Sequence, residues 1–197
     1  MGGHQSSAML KDEWLTPPEI IKALGPFDLD PCSPVKRPWD TALEHFTIEN
    51  DGLLQSWHGV VWCNPPYGRK AEAWLKKCAS HGNAIALIFA RTETEMFFSQ
   101  VWEKAAAILF VKGRLHFYHR EGVRARANSG APSCLIAYNR EMAARLINSK
   151  ITGKYIDLER SDAERTILNY ETHQIFRFKK EIDELKQRIE KLEKGDE

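Results

Sequence analysis

Val60-Val61-Trp62-Cys63-Asn64-Pro65-Pro66-Tyr67-Gly68 is an apolar run that stops abruptly on an amide, two prolines and an aromatic ring. Its first four residues predict a buried strand, since they show none of the alternation of a half-solvated one. Pro65 and Pro66 fix φ and carry no N–H, so the strand ends there with carbonyl oxygens left to face a cleft. Downstream, Ala71–Ser80 has helical character, with Ala73, Trp74, Lys77 and Cys78 on related faces. A second buried-strand run, Ala84–Phe89, follows it.

Further out the same alternation continues. Upstream, Thr16-Pro17-Pro18-Glu19 opens a short helix, with Thr16 as N-cap and Glu19 three residues on, as in a capping box. Ile20, Ile21 and Leu24 give it an apolar face, and Gly25-Pro26 stops it. Phe27–Asp30 alternates like a short strand that ends at Pro31, and residues 31–58 are irregular. Downstream, Glu93–Glu103 is predicted helical, and Ala107–Val111, Leu115–Tyr118 and Cys134–Tyr138 are further strands. Strands alternating with helices predict an α/β fold of Rossmann-like plan, a mainly parallel sheet covered on both faces with an antiparallel finish. In such sheets ligands sit outside the carboxyl ends of the strands.

The chain divides into a flexible lead-in at 1–12, a globular domain at 13–165 and a C-terminal helix at 166–197. In that helix Ile175, Phe178, Ile182, Leu185, Ile189 and Leu192 recur at spacings of three and four with charges between them. This heptad pattern, Ile at one seam position and mostly Leu at the other, predicts a short parallel coiled coil and a homodimer through residues 175–192. A helix docked on its own domain is the alternative.

Composition excludes several classes. With 43% apolar and 28% charged residues, the 197-residue chain is neither disordered nor membrane-embedded. A cytoplasmic location and no membrane partner are expected. Cys32, Cys63, Cys78 and Cys134 are scattered without a CxxC pair, so reduced thiols and no metal site are expected. The net charge of +1 hides an asymmetry: residues 112–154 hold nine Lys or Arg against two acids. Such a block is either a solvated face or a footprint for a polyanion.

The strand-end loop suits one chemistry well. Asn64 and the Pro65 carbonyl can accept hydrogen bonds from an exocyclic amine on a planar heterocycle, and Tyr67 can stack on its ring. Accepting both N–H groups directs the nitrogen lone pair at an electrophilic methyl, with no metal or cysteine nucleophile required. Asn-Pro-Pro also occurs as a plain turn.

Asn64-Pro65-Pro66-Tyr67 resembles the Asp/Asn-Pro-Pro-Tyr/Phe motif of amino-methyltransferases. Thr16-Pro17-Pro18-Glu19 is similar to their Thr-Pro-Pro element, and Asn50-Asp51-Gly52-Leu53 to their acidic motif. Trp14-Leu15-Thr16-Pro17 and Asp30-Pro31-Cys32-Ser33 also match, so Trp14 to about Tyr138 resembles the small phage-type Dam DNA N6-adenine methyltransferases. The resemblance implies S-adenosylmethionine as cofactor, with Thr16-Pro17 against its methionine part and Asp51 on its adenine. It also implies duplex DNA as partner, and GATC is the first candidate for the recognised sequence. The cofactor set so implied is Trp14, Thr16, Pro17, Asp30, Pro31, Cys32, Asp51 and Asn64. One feature departs from the family: no glycine-rich loop follows the first strand. Asp30 is therefore read as acceptor for either the cofactor's ammonium or its ribose, the alternative being a turn former.

An adenine inside a duplex must leave the stack before its N6 is reachable, so this chemistry implies base flipping. Lys112, Arg114, Phe117, Arg120, Arg124 and Arg126 interleave cations with an aromatic and are the expected DNA contacts. Phe117 is either the second face of a base sandwich or core. Arg91 and Thr94 either contact phosphate or line the cleft, or the segment is a helix cap in which Thr92 or Thr94 accepts the first free N–H groups. RNA adenine, a protein glutamine amide, or a non-catalytic DNA-binding role remain open alternatives.

Overall fold

The computed structural model describes residues 14–68, 70–159 and 162–193; the lead-in expected at 1–12 lies outside them. The sequence of elements begins with α1 (Pro18–Leu24), β1 (Leu29–Asp30), β2 (Glu44–His45), β3 (Val61–Cys63), α2 (Ala71–His81) and β4 (Ala84–Phe89). There follow α3 (Glu95–Phe97), which widens into a π turn at Phe98–Trp102, then β5 (Ala107–Val111), β6 (Ser133–Ala137), α4 (Arg140–Asn148), β7 (Gly153–Asp157) and α5 (Asp162–Glu193). By its contacts the chain falls into two compact units that divide after Glu159, and α5 belongs to the second.

The first unit is built on a seven-stranded sheet in the order β2-β1-β3-β4-β6-β5-β7. The pairings β2–β1, β1–β3 and β3–β4 are parallel, whereas β4–β6, β6–β5 and β5–β7 are antiparallel. The sheet is therefore mixed rather than mainly parallel. The reason lies in the connections: β5 returns to β6 through a loop without a crossover helix, and such a return makes antiparallel neighbours. The expected strand at Leu115–Tyr118 is absent. Tyr118 makes only isolated bridges, to Leu15 and to Arg124.

Alternation along the central strands divides the core between the two faces of the sheet. Cys63, Ala86, Ile88, Ile108 and Ile136 pack with Trp74, Leu75 and Cys78 of α2 and with Phe97 and Val101. Trp62, Ile85, Leu87, Leu109 and Leu135 pack on the other face with Ile20 and Leu24 of α1 and Met142 and Leu146 of α4. Each fully buried Leu or Ile contributes about 1.5–3 kcal/mol, and β3 and all of β4 but Phe89 are buried, so both strands are firmly held. That rigidity carries over to the loop that leaves β3. Among the described residues no helix is long and apolar enough to cross a membrane.

Candidate active site

Leu29 pairs with Val61 in parallel register, so β1 and β3 release Asp30-Pro31-Cys32 and Cys63-Asn64 side by side at the same sheet edge. The two loops touch through Cys32 and Cys63, whose sulfurs lie 3.8 Å apart. Burial pushes the Cys63 thiol well above its usual range, and all four cysteines are unbridged. A third piece, the segment Trp14–Pro17, crosses this edge. Leu15 exchanges both backbone hydrogen bonds with Tyr118, at 2.9 and 3.0 Å. Trp14, Thr16, Asp30, Cys32 and Asn64 line one narrow cleft, together with Arg37, Trp39, Thr41 and Trp62. Five of the expected cofactor residues are thereby brought together; Pro17 and Pro31 are buried beside them.

The polar groups of this cleft fit a ligand with several polar functions. Asp30 is 4% exposed; its Oδ2 accepts from Thr41 Oγ1 at 2.5 Å and its Oδ1 from the Cys32 N–H at 3.1 Å. Burial pushes its pKa up to about 6, against the downward pull of these two hydrogen bonds and of the Arg37 charge. Thr16 Oγ1, Trp39 Nε1 and Trp62 Nε1 are buried with no hydrogen-bond partner. Unpartnered buried donors are uncommon and call for an acceptor. A cationic or hydroxylic group suits Asp30, and an acceptor suits the three donors.

Thr16 does not cap α1 as expected. Pro17 is the N-cap and there is no side-chain cap hydrogen bond, so the Thr16 hydroxyl is left to the cleft. A wider open hollow lies between α1 and α4, lined by residues such as Ala23, Glu141 and Arg145. No buried unpartnered polar atom lies there among the described residues, so the narrower cleft is the better site.

Asp51 is exposed and outside the cleft lining, on a loop that abuts it. A Cβ at Gly52 would stand 1.9 Å from the Pro31 carbonyl oxygen, so this glycine lets the two loops meet. The close backbone approach therefore comes from the acidic loop rather than from a glycine-rich turn after β1. Lys77 of α2 grips that loop by donating to the carbonyls of Gly52, Leu53 and Gln55 at 3.1, 2.6 and 2.5 Å. Trp57 Nε1 donates to the same Gly52 carbonyl at 2.8 Å, and the Lys77 ammonium sits 5.0 Å from the Trp57 ring centre.

In the loop after β3, Asn64 Nδ2 donates to the Trp14 carbonyl at 2.9 Å. A carbonyl can only accept, so the amide is fixed with Oδ1 turned the other way. There Oδ1 accepts from the Tyr67 hydroxyl at 3.4 Å. Burial raises the Tyr67 pKa, which keeps that hydroxyl protonated as a donor. The Tyr67 ring stacks on Phe89 with centres 4.0 Å apart and planes 6° apart. Pro65 is buried and Pro66 half-buried between these groups.

Phe117 is 4% exposed and stands edge-on to Tyr67, at 76° and 6.1 Å. In this arrangement it packs as core and presents no face parallel to Tyr67. Lys112, Arg114, Arg124 and Arg126 are exposed and make no ion pair among the described residues, whereas Arg120 pairs with Glu121 at 3.0 Å. Thr94 caps α3, accepting from the Phe97 N–H at 3.3 Å, and Arg91 beside it is exposed. Sequence reasoning missed Thr41, Trp39 and Lys77. The first two lie in the irregular stretch 31–58, where a Trp and a hydroxyl among prolines were the available signal. Among the described residues no three His, Cys, Asp or Glu side chains gather as a metal site.

A family model described as DNA N-6-adenine-methyltransferase (Dam) matches residues 4–165. No curated protein and no solved structure gives a significant match.

Proposed function

The chain belongs to the Dam family of DNA N-6-adenine-methyltransferases, and on that premise we propose that it methylates the N6 amino group of an adenine turned out of duplex DNA. The observation that carries this reading is the fixed amide of Asn64, with Nδ2 held by the Trp14 carbonyl and Oδ1 beside Tyr67. S-adenosylmethionine, when bound, would supply an electrophilic methyl on sulfur, and the methylated amine would lose one proton to solvent. Asp30 would accept from its ammonium or ribose, Thr16 would donate to its carboxylate, and Asp51 on the abutting loop would serve its adenine.

The chain's own groups then act on the amine. Asn64 Oδ1 and the Pro65 carbonyl accept the two N–H bonds, which aims the nitrogen lone pair at the methyl. The base extends the Tyr67–Phe89 stack, a contact worth about 1–3 kcal/mol. Positioning of two reactants in this way is a large part of any such rate enhancement, since it removes the entropy of bringing them together. The exposed Lys112, Arg114, Arg124 and Arg126 hold phosphates, together with Arg91 and Arg120. Their exposure favours nucleic acid over a protein glutamine amide, and GATC is the first sequence to try.

The test is to incubate the protein with methyl-labelled S-adenosylmethionine and unmethylated duplex DNA, RNA or protein, then to separate the digested products. Label in N6-methyldeoxyadenosine is expected. Label only in RNA or protein, or in none of the three, would refute the proposal.

A further inference from the structure

We propose that α5 is a parallel, in-register dimerisation helix whose partner is a second copy of this chain. Ile175, Phe178, Ile182, Leu185 and Ile189 form one stripe, and each is 50–58% exposed. Phe176, 73% exposed, flanks it. The outer face is polar, where Lys180 pairs with Glu184 at 3.8 Å. A helix with so much large apolar surface on one side is stabilised chiefly by covering that side.

The charges beside the stripe choose the occupant. With Ile175, Ile182 and Ile189 at position a and Phe178 and Leu185 at d, Lys179 and Lys186 fall at e and Glu181 at g. In a parallel in-register pair each g residue faces the e residue of the next heptad on the other helix. Glu181 of one copy then faces Lys186 of the other, twice by symmetry. An antiparallel pair would set e against e, lysine against lysine. Ile at every a position, with Leu185 at d, favours two strands over three or four. Within one helix Glu181 also approaches Arg177 at 3.6 Å, but such an exposed pair is weak and its carboxylate has a second oxygen to offer.

The full-length chain tests this by sedimentation equilibrium, with wild type, two single variants and a mixture of the two variants. Wild type is expected at twice its 22.6 kDa chain mass. Glu181→Lys alone places lysines opposite lysines, and Lys186→Glu alone places glutamates opposite glutamates. Each is expected to raise the dissociation constant roughly tenfold or more, since two attractive pairs become repulsive. Mixing the two variants restores both attractions and is expected to restore the dimer as a heterodimer. Unchanged thermal unfolding of the catalytic domain shows that the variants fold. A monomeric wild type, as a helix docked on its own domain would give, overturns the proposal. So does a trimer or tetramer, variants that dimerise as tightly as wild type, or a mixture that stays monomeric.

Discussion

Trp14 and Asn64 are fifty residues apart in sequence and 2.9 Å apart in the fold, where the Asn64 amide donates to the Trp14 carbonyl. One hydrogen bond thus ties the segment before α1 to the loop that leaves β3. Leu15, next in the chain, is bridged to Tyr118 at the base of the basic loop. The segment 14–16 is therefore common to three things: the orientation of the Asn64 amide, the cleft lined by Thr16, and the anchoring of the cations expected to meet DNA.

Asp30 gives two opposite pH dependences. Its pKa of about 6 in the fold stands above the ordinary 3.8, so the ligand-free fold favours the neutral acid. This contribution to stability, on the order of 3 kcal/mol, is fully present below about pH 4 and is lost as the pH rises through 6. Binding of S-adenosylmethionine runs the other way, because the carboxylate is the better acceptor for an ammonium. Calorimetric titration is expected to show affinity improving from pH 5 to pH 7, and Asp30→Asn is expected to flatten both trends. An affinity independent of pH in the wild type would count against this role.

Lys77→Met removes the donor shared by the carbonyls of Gly52, Leu53 and Gln55. The Gly52 carbonyl keeps its Trp57 donor, so the loss falls on the half-buried Leu53 and exposed Gln55 carbonyls and costs about 1 kcal/mol, which lowers the melting temperature by a few degrees in a chain of this size. Because Asp51 rides on the same loop, the cofactor dissociation constant is expected to rise about tenfold. At saturating cofactor, turnover should stay near wild type, and Lys77→Arg should recover part of the affinity. A lower melting temperature with unchanged cofactor affinity would separate this loop from the site.

Arg124→Ala and Arg126→Ala are expected to weaken DNA binding and to make it less dependent on salt. Each lost phosphate contact reduces the slope of log affinity against log salt by about one. Fluorescence anisotropy over a salt series measures this. An unaltered slope in both variants would move the DNA footprint elsewhere on the domain.

Much of this arrangement was legible along the chain because it rests on local pattern. The apolar runs at Val60–Cys63 and Ala84–Phe89 announce buried strands, and both are found. The edge strands Glu44–His45 and Gly153–Asp157 were not legible, because half-exposed polar residues show no apolar run or clean alternation. Leu115–Tyr118 reads as a strand by alternation, yet its neighbours offer only single bridges. At Thr16 a local rule predicts a cap, while the fold leaves the hydroxyl unpartnered in the cleft. The contacts Trp14–Asn64, Thr41–Asp30 and Lys77–Gly52 join distant or irregular segments, and no periodicity encodes them.

Asn64 lines the cofactor cleft, and its proposed work is on the acceptor amine. Asn64→Ala, measured for S-adenosylmethionine affinity by calorimetry and for single-turnover methylation of duplex DNA, tests it most directly. The account predicts a dissociation constant within about twofold of wild type and a methylation rate lower by about 100-fold or more, as when one preorganised hydrogen-bonding group is removed from an active site. A variant that methylates at the wild-type rate, or one whose loss is recovered simply by adding more cofactor, would contradict it.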